Sequence, residues 1–202
     1  MSDDVVIIDS GGANLASLQF ALERLGARSR VSADAAVIAA APRVILPGVG
    51  SAGDAMQRLR AAGIDRVLPA LRQPVLGICL GMQLLFDRSA EGPSDTLGVL
   101  AGDVARLAAA PGRPVPHMGW NTLDALRSDP LLEGLAPGAH FYFVHSFAAR
   151  PSETTIATAD YGGAMVAVAG RDNFRGVQFH PERSGAAGAT LLANFLRFDR
   201  CC

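Results

Sequence analysis

Cys79 sits between two glycines, in Gly77-Ile78-Cys79-Leu80-Gly81, where the apolar run Val75 to Ile78 gives way to a helical pattern, Met82 to Phe86. A Gly-x-nucleophile-x-Gly elbow at a strand-to-helix junction exposes a reactive side chain on a sharp, strained turn. Cysteine reacts as its thiolate, and the N-terminus of a helix favours that charge. Glycines on both sides let strand and helix close around a residue whose backbone is strained. The same pentapeptide also reads as a buried core cysteine followed by an ordinary Gly turn, so a second reactive group must decide.

That group stands far along the chain, in Gly176-Val177-Gln178-Phe179-His180-Pro181-Glu182. In extended backbone, residues i and i+2 point to the same side, so Glu182 orients His180 while His180 faces a third group. A cysteine, a base and an acid that fixes the base's tautomer make a nucleophilic triad for acyl transfer. Taken alone, His180 also reads as a structural histidine capping a strand. His-x-Glu opens the zinc deaminase signature as well, but the chain has no downstream Pro-Cys-x-x-Cys. No metal ligand set and no cofactor is expected.

The surrounding pattern is that of a scaffold able to hold such a triad. Val5 to Ile8, then Leu15, Leu18, Leu22 and Leu25 at helical spacing, then Val44 to Leu46, follow βαβ grammar. Asn14 is a plausible N-cap and Gly26 a stop for that first helix. A second helix carries Met56 and Leu59 and closes at Gly63. Beyond residue 95 come short strands, Phe141 to Val144, Ile156 to Thr158, Met165 to Ala169 and Gly176 to Phe179, which predict antiparallel hairpins decorating a parallel core. Leu191, Leu192, Phe195 and Phe198 mark a closing amphipathic helix. The expectation is an α/β fold: an open, mainly parallel sheet flanked by helices, with an antiparallel excursion in the second half, in one domain spanning 1–202.

Composition narrows the function classes. With 202 residues, half of them hydrophobic and 18% charged, the chain has enough apolar surface for a core that hides about 70% of its unfolded area. Eighteen basic residues against nineteen acidic ones leave a charge of −1, without the basic cluster of a nucleic-acid partner. Every basic residue is Arg, which rules out Schiff-base and P-loop lysine chemistry. The longest apolar run, Ala35 to Ala41, is far short of the roughly 20 residues of a membrane span. The opening Met1-Ser2-Asp3-Asp4 does not read as a secretory signal, so the cytoplasm is the expected compartment. Cys79, Cys201 and Cys202 cannot make a disulfide framework.

Together, the elbow Gly-Ile-Cys-Leu-Gly-Met-Gln at 77–83 and the His-Pro-Glu at 180–182 resemble the class I, or triad, glutamine amidotransferases. Within that class the chain is similar to the glutaminase subunits of imidazole glycerol phosphate synthase. Residues 12–17, 46–50, 116–121 and 142–146 carry that closer likeness, and the match runs from Val5 to Phe198. The resemblance implies a flavodoxin-like fold with Cys79 as nucleophile, His180 as general base and then acid, and Glu182 as its orienter. It implies that Gln83 and Glu91 hold the amino-acid end of L-glutamine, helped by Ser146, Phe147 and the Gly48 backbone. A Tyr often found at position 147 is Phe here, so its hydroxyl is missing, and the usual Lys after His-Pro-Glu is Arg183.

By analogy with the hydrolase elbow, the N–H of Leu80 is one oxyanion donor, and Val49 or Gly50 on the adjoining Gly-Val-Gly loop supplies the second. The glycines leave that peptide free to turn over, so a docked partner could assemble the hole. The resemblance implies such a partner: the HisF cyclase, a (β/α)8 barrel, forming a heterodimer that takes up the ammonia. Asn14, Ser17, Trp120, Asn121, His145 and Arg183 fall where it puts interface contacts. Core and interface remain equal readings of Trp120. Three rival functions are another amidotransferase subunit, a stand-alone cysteine hydrolase, and a binding subunit without turnover.

Overall fold

A computed structural model of the chain describes residues 4–10, 15–92, 94–125 and 127–198. The first half runs β1 (Val5–Ile8), α1 (Leu15–Arg24), β2 (Ser29–Ser32), α2 (Ala35–Ala39), β3 (Val44–Gly48), α3 (Ala52–Ala61), α4 (Ile64–Val67), β4 (Val75–Cys79) and α5 (Leu80–Gln83). The second half adds β5 (Arg88–Ser89), β6 (Ser94–Asp95), β7 (Asp103–Arg106), β8 (His117–Thr122), β9 (Asp124–Ala125), β10 (His140–His145), β11 (Phe147–Ala149), β12 (Thr155–Asp160), β13 (Ala164–Arg171), β14 (Phe174–Val177) and α6 (Gly185–Arg197).

The main sheet has eight strands in the order β2-β1-β3-β4-β14-β13-β12-β9. Its first five strands are parallel, and those inside the edge strand β2 are buried, which is why β1, β3 and β4 are continuous apolar runs rather than alternating ones. Alternate side chains feed two cores. Val6, Ile8, Val44, Leu46 and Val75 pack with Met56 and Leu59 of α3. Val5, Ile7, Ile45, Leu76 and Ile78 pack with Leu18 and Leu22 of α1 and with Leu191, Leu192 and Phe195 of α6. Among the described residues, no helix is long and apolar enough to cross a membrane.

Local chemistry sets the helix ends. The Asp34 carboxylate accepts from the N–H groups of Ala36 and Val37, and the Ser51 hydroxyl accepts from that of Asp54. Gly26 ends the turn after α1 at φ 79°, a conformation that favours glycine. The expected N-cap, Asn14, lies outside the described residues, as do Cys201 and Cys202.

The antiparallel excursion expected in the second half is present, in β12 and β13 and in a separate β8–β10 pair, while two narrower expectations need correction. β13 and β12 extend the same sheet through β14, which pairs in parallel with β4 and antiparallel with β13. The helix expected over Met82 to Phe86 is the short α5, because backbone donors of residues 97–100 take the carbonyls of Leu84, Leu85 and Phe86 before a helical N–H can reach them. The last strand is Phe174–Val177 rather than Gly176–Phe179. The paired strand ends at Val177; the Gln178 N–H still donates to the Ala167 carbonyl of β13, and the N–H of His180 donates to the Tyr142 carbonyl of β10 at 2.9 Å.

Candidate active site

Cys79 closes β4 and precedes α5 with φ 54° and ψ −112°, a positive φ that costs a non-glycine residue on the order of 1–3 kcal/mol. The flanking glycines make this elbow possible. A Cβ on Gly77 would stand 2.7 Å from the Gly81 oxygen and 2.8 Å from the Met82 Cα, and one on Gly81 would overlap the Leu46 carbonyl. The Cys79 sulfur lies 3.7 Å from the Val144 carbonyl and 3.8 Å from Gln178 Nε2. Because Gly48 pairs in register with Cys79, the loop Val49-Gly50 leaves β3 beside the nucleophile. Gly50 there adopts φ 90°. The N–H of Leu80 belongs to the first turn of α5, where helical amides have no partner four residues back.

His180 comes to this sulfur because β14 lies next to β4. Its Nδ1 bonds Glu182 Oε1 at 2.8 Å, leaving the other ring nitrogen for Cys79. Glu182 reaches it from a 3-10 turn, Pro181–Arg183, and not along a strand as the i, i+2 argument expects. Ser184 fixes that turn: its hydroxyl donates to the His180 carbonyl at 2.7 Å and accepts from the Tyr142 N–H. Burial alone pulls the His180 pKa down. The hydrogen bonds to Cys79 and Glu182, with the charges of both partners, outweigh it and raise the imidazole to about 10. A proton is thus held beside the sulfur throughout the neutral range.

The triad opens on a cavity of about 370 Å³, within the roughly 300–1,000 Å³ of small-molecule sites. The residues expected to bind substrate, Gly48, Gln83, Glu91, Ser146 and Phe147, all line it, as do the expected oxyanion donors Leu80, Val49 and Gly50. Glu91 Oε2 accepts from the Ala52 N–H at 3.2 Å, which places the carboxylate at the N-terminus of α3. Burial raises its pKa and the Ala52 bond opposes that. Among the described residues no group of three or more His, Cys, Asp or Glu could hold a metal ion.

The sequence pattern described as Glutamine amidotransferase class-I matches residues 6–198. The chain belongs to the class-I glutamine amidotransferases. It is 53% identical to imidazole glycerol phosphate synthase subunit HisH of Xanthomonas euvesicatoria pv. vesicatoria, over 97% of this chain and 98% of the relative. With the same coverage, it is 50% identical to the protein of that name in Xylella fastidiosa strain Temecula1. Among solved structures, PurLQS from Thermotoga maritima superposes with a TM-score of 0.74 at 20% identity, covering 98% of this chain and 99% of that one. A structure described as glutamine amidotransferase gives 0.75 at 22%, covering 96% and 97%. These two likenesses bear on the fold.

The amidotransferase treats the other predicted residues unevenly. Gln83 is 3% exposed, so it is not the solvated first-turn residue of the simpler reading. Its Nε2 is committed to the Phe147 carbonyl at 2.8 Å and to Gln178 Oε1 at 3.0 Å, which leaves its Oε1 to face a ligand. Trp120 is 57% exposed, which removes the core reading. Its ring meets Tyr142 edge-on, and Arg183 lies 5.0 Å over the opposite partner of that pair, the Tyr142 ring. Ser17 and Arg183 also line the cavity.

Two of the expected interface residues also make contacts within the chain. Asn121 follows Trp120 in β8, so it faces the other way, and its Nδ2 donates to the Asp160 carbonyl. His145 is 6% exposed, and it belongs to the cavity wall rather than the outer surface. Its Nδ1 donates to the Phe147 carbonyl, its Nε2 meets His117 Nδ1 at 3.0 Å, and burial above all holds its pKa down at about 4. Asn14 is outside the described residues. The sequence reading missed His117, Ser184, Gln178 and the Ala52 amide. Of these, His117 and Gln178 lay inside quoted motifs.

Proposed function

We propose that this chain is the glutaminase subunit of an imidazole glycerol phosphate synthase. It hydrolyses L-glutamine to glutamate and ammonia, and it passes the ammonia to a HisF cyclase subunit for imidazole glycerol phosphate and AICAR formation in L-histidine biosynthesis. The observation that carries this reading is the Cys79 elbow facing the His180–Glu182 pair.

In this reading the Cys79 sulfur attacks the carboxamide carbon of glutamine, and the carbonyl electron pair moves onto oxygen. The N–H of Leu80 and one from Val49 or Gly50 stabilise that oxyanion. The oxyanion collapses, the C–N bond breaks and His180 protonates the leaving nitrogen, so ammonia departs and a thioester remains. His180 then takes a proton from water as it attacks the thioester. The C–S bond breaks, the sulfur regains its electron pair and glutamate leaves. Glu182 keeps the imidazole in the tautomer each step needs. Gln83 Oε1 and Glu91 hold the ammonium end of the substrate, with Ser146 and Phe147 closing the wall.

Ammonia released into water is protonated and no longer nucleophilic, which supports an acceptor subunit at the cavity mouth. The exposed Met118 and Trp120, with Tyr142 and Arg183 next to them, support this face as the docking surface. The positive φ of Gly50 supports a loop that the partner can reset. The test is a glutaminase assay of the chain alone and with the cyclase and its nucleotide ligand. A donor that engages only the oxyanion is worth about 10²–10³ in turnover, so stimulation of that size is expected mainly in kcat. Cys79→Ala should abolish hydrolysis while the complex still uses supplied ammonia. Full activity of the isolated chain, unchanged by partner and ligand, would overturn the reading in favour of a stand-alone hydrolase.

A further inference from the structure

We infer that Gln178 is a working part of this glutaminase: a buried, uncharged donor that holds the Cys79 sulfur and stabilises its thiolate. The inference rests on the proposed reaction. Gln178 is fully buried, and its backbone N–H still donates to the Ala167 carbonyl of β13 at 2.9 Å, so its side chain is fixed by the sheet that carries His180.

The polarity of its amide follows from a group two bonds away in the network. The Phe147 carbonyl can only accept, so the Gln83 atom 2.8 Å from it must be the NH2 group. That same NH2 therefore donates to Gln178, whose facing atom must be Oε1, at 3.0 Å. The remaining end of Gln178, Nε2, then presents an N–H to the sulfur at 3.8 Å. A primary amide is a poor choice for a buried position unless its polar atoms are used, and both ends of this one are spent on neighbours in the site.

The donor has a chemical task. The Val144 carbonyl, 3.7 Å from the sulfur, accepts the thiol proton and so favours the neutral thiol. An N–H from Gln178 favours the anion instead, and it brings no titrating proton to compete with His180 for the departing ammonia. It is also in place when the thioester is hydrolysed, as the C–S bond breaks and the electron pair returns to sulfur. Substrate held by Gln83 and sulfur held by Gln178 are in this way aligned through one hydrogen-bonded chain.

The test is the pH profile of Cys79 alkylation by iodoacetamide, read on the Cys79 peptide by mass spectrometry, with glutaminase kinetics of the complex measured alongside. The other titratable groups at the site are His180 with Glu182 behind it, His145 on the cavity wall, and Glu91 and Arg183 at its rim. All are unchanged in the variants. Gln178→Met removes the donor, so the profile should move about one unit to higher pH and kcat should fall about tenfold. Gln178→Asn, which keeps an amide but withdraws it from the sulfur, should shift in the same direction and guards against a folding defect in the first. Profiles of both Gln178 variants that superimpose on the unaltered one would overturn the inference. Absence of glutaminase activity from the unaltered complex would instead overturn the reaction, with the alkylation result still standing.

Discussion

Gly81 lies so close to Leu46 that a Cβ on the glycine would overlap the Leu46 carbonyl oxygen. The first turn of α5 and the end of β3 therefore share one backbone-to-backbone surface, and that surface positions both the nucleophile and the loop beside it. Gly81→Ala should cost about 1–3 kcal/mol as an overpacking change, read as a lower urea midpoint. Because the displaced strand carries Gly48 to Gly50, glutaminase activity should fall in the fraction that remains folded. An unchanged midpoint would show that this contact is looser than described.

Glu182→Gln keeps shape but removes the charge behind His180. Turnover should drop on the order of 10³–10⁴-fold, with the glutamine KM little changed. The same variant carries a pH signature. The folded imidazole is raised to about 10 against an ordinary 6.5, so it binds its proton more tightly folded than unfolded. Its contribution to stability is full below about 6.5 and drains away as the pH rises through 10. Urea midpoints of the two proteins should therefore differ most near pH 6 and converge toward pH 10. A gap that widens with rising pH would contradict the assignment.

Substitution can separate the helix-end contact of Glu91 from its proposed part in holding substrate. Glu91→Ala removes the acceptor at the N-terminus of α3, at a cost of about 0.5–2 kcal/mol, and also the charge offered to the substrate ammonium. Glu91→Gln restores an acceptor for the Ala52 N–H without the charge. Stability should recover in the Gln variant, while the glutamine KM stays raised about tenfold, or 1.4 kcal/mol, in both. A KM that recovers in Glu91→Gln would confine this residue to the helix end.

The residues proposed to carry chemistry were legible because their types are scarce and their neighbours diagnostic. Cys79 between glycines and His180 before Pro181-Glu182 could be read without coordinates, as could the apolar strands β1, β3 and β4. β2 was missed because its Ser29-Arg30-Val31-Ser32 lies at the sheet edge, only partly covered, and carries no apolar run. α5 was read too long because donors distant in sequence, at residues 97–100, end it. Gln178, inside a motif already under inspection, kept its role hidden, since a buried amide acquires meaning only from the groups it touches. His145 and Asn121 show the same limit: the resemblance placed them among interface contacts, and only the packing shows one turned inward and the other tied to Asp160.

The pairing of β4 with β14 has a consequence for how such a chain can change. Cys79 ends β4 and His180 follows β14 by three residues, so their separation is set by the β4–β14 ladder together with the Tyr142 carbonyl that holds the His180 N–H. Connections outside that ladder, such as residues 107–116 between β7 and β8, can be lengthened, trimmed or exchanged without disturbing the contacts that hold the two groups at their distance. The fold thus separates what must stay fixed for hydrolysis from what must vary to suit a different recipient of the ammonia.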